Sequence, residues 1–111
     1  MPNYITIDEF KKGEITVGEI RSAEAIDGSE KLLKLSVDFG EENPRTVVSG
    51  IRKYFPDPNA LIGVKCAFAT NLEPRPLMGI PSEAMILAVS NDESFSLLRV
   101  SDNMTPGMRV K

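Results

Sequence analysis

The chain has 111 residues, of which 41% are hydrophobic, 26% are charged and 6% are aromatic, and it has a formal net charge of −3, one cysteine and no histidine. This length suits a single hydrophobic core, so we expect one domain over residues 1–111. One cysteine excludes an internal disulfide, and the lack of histidine removes the usual zinc ligand and acid–base catalyst. Without a bilayer-length apolar run or a signal-peptide pattern, the sequence predicts a cytoplasmic protein with no membrane, metal or cofactor partner.

The first 25 residues predict a short helical turn followed by a bent strand. Thr6 can cap a turn over residues 7–13, and Glu9 stands three residues later, as in a capping box. Apolar residues alternate over 14–25, but their phase changes after Gly18. Because glycine within a strand often marks a bulge, we expect a bulge at Gly18.

The middle of the chain predicts a hairpin followed by helical turns. Apolar and polar side chains alternate over residues 33–39, which is typical of a half-buried strand with Phe39 in the core. Gly40–Pro44 predicts a turn, and the β-branched residues of 45–49 predict the returning strand. Prolines and glycine in 51–63 indicate two short helical turns.

The last third predicts strands on either side of a proline-rich loop. Residues 65–70, 84–89 and 95–100 predict strands, and 71–81 predicts the loop. The residues alone slightly favour a loop that covers the core with Met78 buried, and the alternative is a stiffened loop that meets a partner. The whole pattern predicts a small all-β barrel, and the five-stranded Greek-key OB-fold has its helical element at the same place.

Charge is distributed unevenly along the chain. Residues 1–44 carry five basic and ten acidic side chains, whereas residues 45–75 carry five basic and two acidic ones. Because salt limits the reach of an exposed charge to about 8 Å, a local basic face can bind phosphates on an acidic protein. An ordinary solvated surface is the alternative for each cation. The candidate phosphate-binding residues are Lys31, Lys34, Arg45, Arg52, Lys53 and Arg75.

No arrangement of side chains predicts catalysis. Ser49, Ser82 and Cys66 have no histidine to activate them. Cys66 lies in an apolar strand, which indicates an inert buried thiol. No glycine-rich phosphate loop occurs either. We therefore expect a binding protein and not an enzyme.

Five motifs, taken in order and with their spacing, resemble a known family. That family is the tRNA-binding domain found at the C-terminus of many methionyl-tRNA synthetases, as a free-standing structure-specific tRNA-binding protein, and in the endothelial monocyte-activating polypeptide group. The resemblance covers about residues 5–111. The motifs lie in Asp8–Ile20, Glu30–Gly40, Val48–Ile51, Asn71–Gly79 and Ser82–Ala88.

The resemblance implies an OB-fold with additional C-terminal strands that binds tRNA through backbone and shape. It also implies a homodimer, and methionyl-tRNA synthetase as the enzyme that the domain serves, either free-standing or as an accessory domain. Carried over by motif, it adds Ser49, Asn71, Ser82 and Met85 to the predicted tRNA contacts.

Two departures from the family pattern bear on binding. Pro76 stands where the family often has a basic residue, which predicts one phosphate contact fewer, and Ala84 replaces a usual glycine. A competing hypothesis is a protein-interaction or chaperone-like OB-fold dimer, because an export-related chaperone shares this fold group. A third is a dimerisation tail of a larger synthetase. The intact motifs Asn71–Arg75 and Ser82–Met85 favour tRNA binding.

Overall fold

The described part of the molecule, residues 3–111 of the computed structural model, is almost entirely β-structure. Met1 and Pro2, which are included in the predicted domain, lie outside the described residues. The strands are β1 (Ile15–Ala25), β2 (Leu33–Asp38), β3 (Arg45–Ser49), β4 (Lys65–Ala69), β5 (Arg75–Leu77), β6 (Ile80–Ser82), β7 (Met85–Ile86), β8 (Ala88–Ser90) and β9 (Phe95–Leu97). The helical elements are α1 (Ile7–Phe10) and two 3-10 turns at Arg52–Tyr54 and Pro58–Leu61.

Five strands form one antiparallel sheet in the order β3-β2-β1-β4-β7. The sheet curls until its two edge strands, β3 and β7, face each other across a narrow seam. Both 3-10 turns lie between β3 and β4, where an OB-fold has its helix. The predicted all-β, OB-like barrel is therefore confirmed.

The barrel core is filled by the inward side chains of alternating strands. In β2, Leu33, Leu35 and Val37 are buried while their neighbours are half-exposed, as the period of two predicts. Phe39 is 4% exposed and packs edge-to-face on Phe68 at a centroid distance of 5.1 Å. The predicted burial of Phe39 is confirmed.

Gly18 is required by the packing of the core, and the bulge of β1 lies elsewhere. The register between β1 and β2 shifts between Ile20 and Ser22, so the bulge predicted at Gly18 is wrong. A β-carbon at position 18 would lie 2.6 Å from side-chain atoms of both Val37 and Phe39. The missing side chain therefore allows β1 to cross the core closely.

The N-terminal helix is held by its own cap. The Thr6 hydroxyl accepts a hydrogen bond from the Glu9 amide at 3.0 Å, and the Glu9 carboxylate accepts one from the Thr6 amide at 3.1 Å. The predicted capping box is confirmed. Within residues 3–111, no helix is long and apolar enough to cross a membrane.

The C-terminal third differs most from its prediction. The predicted strand over 84–89 is two strands, β7 and β8, in different sheets, and the strand predicted over 95–100 ends at Leu97 as β9. The chain then returns to the barrel and forms hydrogen bonds with the parts of β1 and β4 that β2 and β7 are too short to pair with. The Ala67 amide donates to the Leu98 carbonyl at 3.0 Å, and the Val17 amide donates to the Met108 carbonyl at 2.8 Å.

Gly18→Ala should lower the free energy of unfolding by about 1–3 kcal/mol, because its methyl group would overlap core side chains. Urea denaturation monitored by circular dichroism measures this change. Gly50→Ala is the matched control, since no heavy atom lies within 4 Å of a β-carbon at that position. Equal stability of the two variants would contradict this account of Gly18.

Candidate functional site

A groove of about 410 Å³ opens at the seam of the barrel. One wall comes from the start of β2 and the end of β3, and the other comes from the segment between β4 and β7. The groove thus brings together parts of the chain that are far apart in sequence. Its walls include Leu32, Ser49, Leu72, Arg75, Leu77 and Met85.

A few hydrogen bonds, most of them made by side chains, replace a regular strand ladder at this seam. The buried Ser82 hydroxyl accepts from the Val48 amide at 3.0 Å and donates to the Ala84 carbonyl at 3.0 Å. Next to it, the Glu83 amide donates to the Thr46 carbonyl at 2.8 Å, and the Glu83 carboxylate accepts from the Thr46 amide at 3.1 Å. These contacts close the barrel and fix the floor of the groove.

The β5–β6 hairpin forms where a proline-rich loop was predicted. Pro76 lies opposite Pro81 in its register, and since neither has an amide hydrogen, this pair adds no bond to the ladder. The turn has positive φ angles at Met78 (52°) and Gly79 (76°), the geometry of a tight hairpin turn. Met78 is 57% exposed, so its predicted burial is wrong. Its terminal methyl group reaches Gly28, so the hairpin leans towards the β1–β2 connection.

The predicted cations nearest the groove are Arg75 and Lys31. Arg75 lines the groove and is exposed, and within residues 3–111 its side chain makes no ion pair or hydrogen bond. Lys31 is exposed beside Leu32 of the groove wall. Lys34, on the outer face of β2, lies 3.7 Å from the Glu24 carboxylate, and both side chains are exposed, so this pair is weak.

Arg45 lies at the end of the barrel and forms hydrogen bonds with other groups of the protein. Its guanidinium donates to the Glu41 carboxylate at 2.8 and 2.9 Å and to the Thr70 carbonyl at 2.7 Å. It also lies 5.3 Å from the centre of the Phe39 ring. The hydrogen bonds with Arg45 lower the pKa of Glu41 and raise the pKa of Arg45. Arg45 does not line the groove, although the sequence predicts it as a phosphate-binding residue.

The structure also gives internal partners to other predicted site residues. The Arg52 guanidinium donates to the Ser29 carbonyl, which holds the loop before β2. Lys53 lies 5.0 Å from the centre of the Tyr54 ring. The Asn71 side chain accepts from the Glu14 amide at 2.8 Å and donates to the Lys12 carbonyl, which ties the N-terminal segment to β4. Together with Ser82, Arg52 and Asn71 support the architecture around the groove, whereas Lys53 lies outside the groove lining.

Cys66 lies in the core and not in the groove. Its side chain is fully buried, and burial raises the pKa of the thiol to about 11. The predicted burial of the thiol is therefore confirmed, and the raised pKa disfavours the reactive thiolate. Among the described residues, no three acidic or thiol side chains are grouped as metal ligands would be.

The groove combines an apolar surface with one cation, Arg75, and one carboxylate, Glu73, and Met85 is the only part of its apolar surface that the predicted site included. Leu32, Leu72 and Leu77 contribute this surface beside Met85. The predicted contact of Met85 and the alternative of a partner-facing loop pointed to part of this surface. The remainder left no signal, because Leu32 and Leu72 come together through barrel closure and not through spacing along the chain. Such a surface binds an apolar or flat ligand group, while Arg75 can bind an anion beside it.

Comparison with known proteins assigns the chain to a family. Residues 15–109 match the family model described as "Putative tRNA binding domain". The chain belongs to this tRNA-binding domain family. The resemblance indicated by the sequence motifs is confirmed.

Individual relatives agree with this family. A methionine–tRNA ligase of Caldanaerobacter subterraneus is 44% identical over 108 residues, which are 97% of this chain and 17% of that protein. The chain thus spans about one sixth of the curated relatives that it matches. The structure of a MetRS related protein from Pyrococcus horikoshii has a TM-score of 0.91 and 35% identity, covering 99% of this chain and 100% of the other. A CsaA chaperone protein from Picrophilus torridus has a TM-score of 0.85 and 25% identity, covering 97% of this chain and 100% of the other.

Ser82→Ala should lower the free energy of unfolding by about 1–3 kcal/mol, because the Val48 amide then loses its partner at the seam. Urea denaturation measures the loss, and amide hydrogen exchange should show faster exchange at Val48. Ser49→Ala is the control, since its hydroxyl makes no hydrogen bond within residues 3–111 and its loss should change stability little. Equal effects of the two substitutions would contradict a sealing role for Ser82.

Proposed function

We propose that this chain is a non-catalytic tRNA-binding domain that recognises the RNA backbone and overall shape. One observation carries the proposal. The barrel seam gathers Ser49, Arg75 and Met85, which come from three separate motifs of the tRNA-binding family, into one groove. Family membership supports tRNA as the class of ligand, and the meeting of the three motifs supports the groove as the site that we propose for it.

In this proposal, Arg75 and Lys31 make the main phosphate contacts, because neither side chain has an internal ion pair among the described residues. Lys34 can exchange its exposed partner Glu24 for a phosphate at small cost. The Ser49 hydroxyl is available to bond the RNA backbone. Arg45, Arg52, Asn71 and Ser82 act mainly by positioning the surrounding segments.

The biological partner that fits this domain is methionyl-tRNA synthetase in the cytoplasm. Relatives that are methionine–tRNA ligases contain a region similar to this chain. A tRNA-binding module, whether covalently attached or docked on the enzyme, raises the effective concentration of tRNA near the catalytic domain. It contributes binding without taking part in the reaction.

We also propose that the domain forms a homodimer through an apolar surface at one end. Ile7 and Phe10 of α1 are 65% and 58% exposed, and Met108 and Val110 are 46% and 51% exposed. The ion pair of Arg109 with Glu14, at 2.9 Å, brings the C-terminal segment beside the residues that follow α1. In this proposal the four side chains together form the interface, since a contiguous exposed apolar patch is typical of one.

Phe10→Asp should convert the dimer into a monomer, because it places a charge in the apolar contact. Sedimentation equilibrium measures the change in mass. Ile62→Asp, at an exposed site within the β3–β4 connection, is the matched control and should leave the dimer intact. A wild-type protein that is monomeric at micromolar concentration would contradict this interface.

The function is tested by titrating purified protein with bulk tRNA at 50 and 200 mM salt. Binding through phosphates releases counterions, so affinity should fall steeply as salt rises. No binding at low salt by a folded protein would refute tRNA binding. Affinity that does not depend on salt would refute the phosphate mechanism.

Arg75→Ala should weaken tRNA binding by about 1–3 kcal/mol, because it removes a charge-assisted hydrogen bond to phosphate. Arg99→Ala is the matched control, since Arg99 is also exposed and without an ion pair among the described residues, but lies outside the groove. Fluorescence anisotropy with labelled tRNA measures both affinities. The same loss in both variants would show that Arg75 acts only through net charge.

A chaperone-like, protein-binding domain is the second candidate function. The likeness to the Picrophilus torridus chaperone and the apolar wall of the groove favour it. An unfolded polypeptide that binds the protein and is not displaced by excess tRNA would support this alternative.

A further inference from the structure

We propose that the groove at the seam receives an unpaired base of the RNA, while Arg75 and Lys31 bind the phosphates beside that base. This inference rests on the proposed tRNA-binding function and assigns the groove a more specific ligand. The occupant is a single nucleotide turned out of its stack, and its base lies between the walls formed by β3 and by the β5–β6 hairpin.

The size and chemistry of the groove fit such a ligand. Its volume of about 410 Å³ lies in the range of pockets that enclose small molecules, about 300–1,000 Å³. Leu72 and Met85 are each 49% exposed, and they face Leu32 from the opposite wall. Leucine and methionine provide a soft apolar surface that can adapt to either face of a flat ring.

A double-stranded RNA segment presents no apolar group to this surface. An A-form helix presents phosphates, 2′-hydroxyls and the edges of paired bases, all of which are polar. Bases that can enter a protein pocket come from loops, bulges and ends. Since Leu72 and Met85 would face water beneath a duplex, the groove favours an unpaired base.

The charges around the groove distinguish a nucleotide from an apolar peptide. Arg75 lines the groove, and Lys31 adjoins its wall at Leu32. An apolar peptide segment carries no anion for these cations, whereas a nucleotide within a strand has a phosphate on each side of its ribose. Glu73 also lines the groove, where its carboxylate can accept a hydrogen bond from a base amino group.

The few polar side chains of the groove predict little discrimination between bases. The Ser82 hydroxyl is already engaged by Val48 and Ala84, so it cannot read a base edge without opening the seam. Ser49 and Glu73 remain as the polar side chains of the groove that can bond a base. Two adaptable groups distinguish bases poorly, so the pocket should accept several of them.

A charge insertion tests the proposal. Met85→Lys adds a cation within the groove, so a groove that binds phosphate should gain affinity, whereas a base pocket should lose it. Val89→Lys adds the same charge at a 56% exposed site outside the groove and is the matched control. The probes are an RNA stem-loop with 2-aminopurine in its loop and a blunt RNA duplex with the same number of phosphates.

The wild-type protein should bind the stem-loop at least 10-fold more tightly than the duplex. The fluorescence of 2-aminopurine should change as the base leaves its stacked neighbours. Met85→Lys should reduce stem-loop affinity at least 5-fold and abolish the fluorescence change, without weakening duplex binding. Val89→Lys should leave the preference for the stem-loop intact.

Several outcomes would overturn the base pocket. Equal binding of stem-loop and duplex would do so while leaving RNA binding established. Tighter stem-loop binding by Met85→Lys would assign the groove to phosphates. Displacement of the stem-loop by an apolar peptide, with no fluorescence change on RNA binding, would assign it to a protein ligand. If neither RNA binds at low salt while bulk tRNA does, the base pocket is refuted and tRNA binding stands; if bulk tRNA does not bind either, the proposed function itself fails.

Discussion

The closure of the barrel between β3 and β7 is the constraint on which the rest of the molecule depends. An ordinary ladder would bring the two edges into full contact and leave no room between them. Here the Ser82 hydroxyl, the Glu83 amide and the Glu83 carboxylate form hydrogen bonds with the backbone of β3. The two edges are therefore joined at these residues and remain apart beside them. The groove is the space that this partial closure leaves.

Polar side chains around the seam divide into two groups. Arg45, Arg52 and Asn71 are hydrogen-bonded to carbonyl or carboxylate groups of the protein, and each ties a loop or strand end to the barrel. Arg75 and Lys31 have no such partner in the part of the chain that the structure describes. A family motif can therefore contain a residue that shapes a site beside one that is free to bind ligand.

Features that depend on near neighbours in the chain could be predicted from the sequence. The alternation of Leu33, Leu35 and Val37 identified β2, and the spacing of Thr6 and Glu9 identified the cap.

Features that depend on distant contacts could not be predicted from the sequence. Gly18 is small because Phe39 and Val37 approach it, and this crowding leaves no local signal. The prolines of the β5–β6 hairpin concealed a strand pair because they usually interrupt ladders. The hydrogen bond from Arg45 to the Thr70 carbonyl likewise required the folded barrel.

The hydroxyl at the seam has a thermodynamic consequence for any ligand of the groove. Because one set of contacts both closes the barrel and shapes the groove, occupancy and folding are linked equilibria. A ligand that binds only the closed form adds to its stability according to its concentration, about 2.7 kcal/mol at 100 times its dissociation constant. A substitution at Ser82 changes this closed population as well as the groove. Its effect on affinity is therefore a sum of two free energies, one from opening of the barrel and one from contact with the ligand.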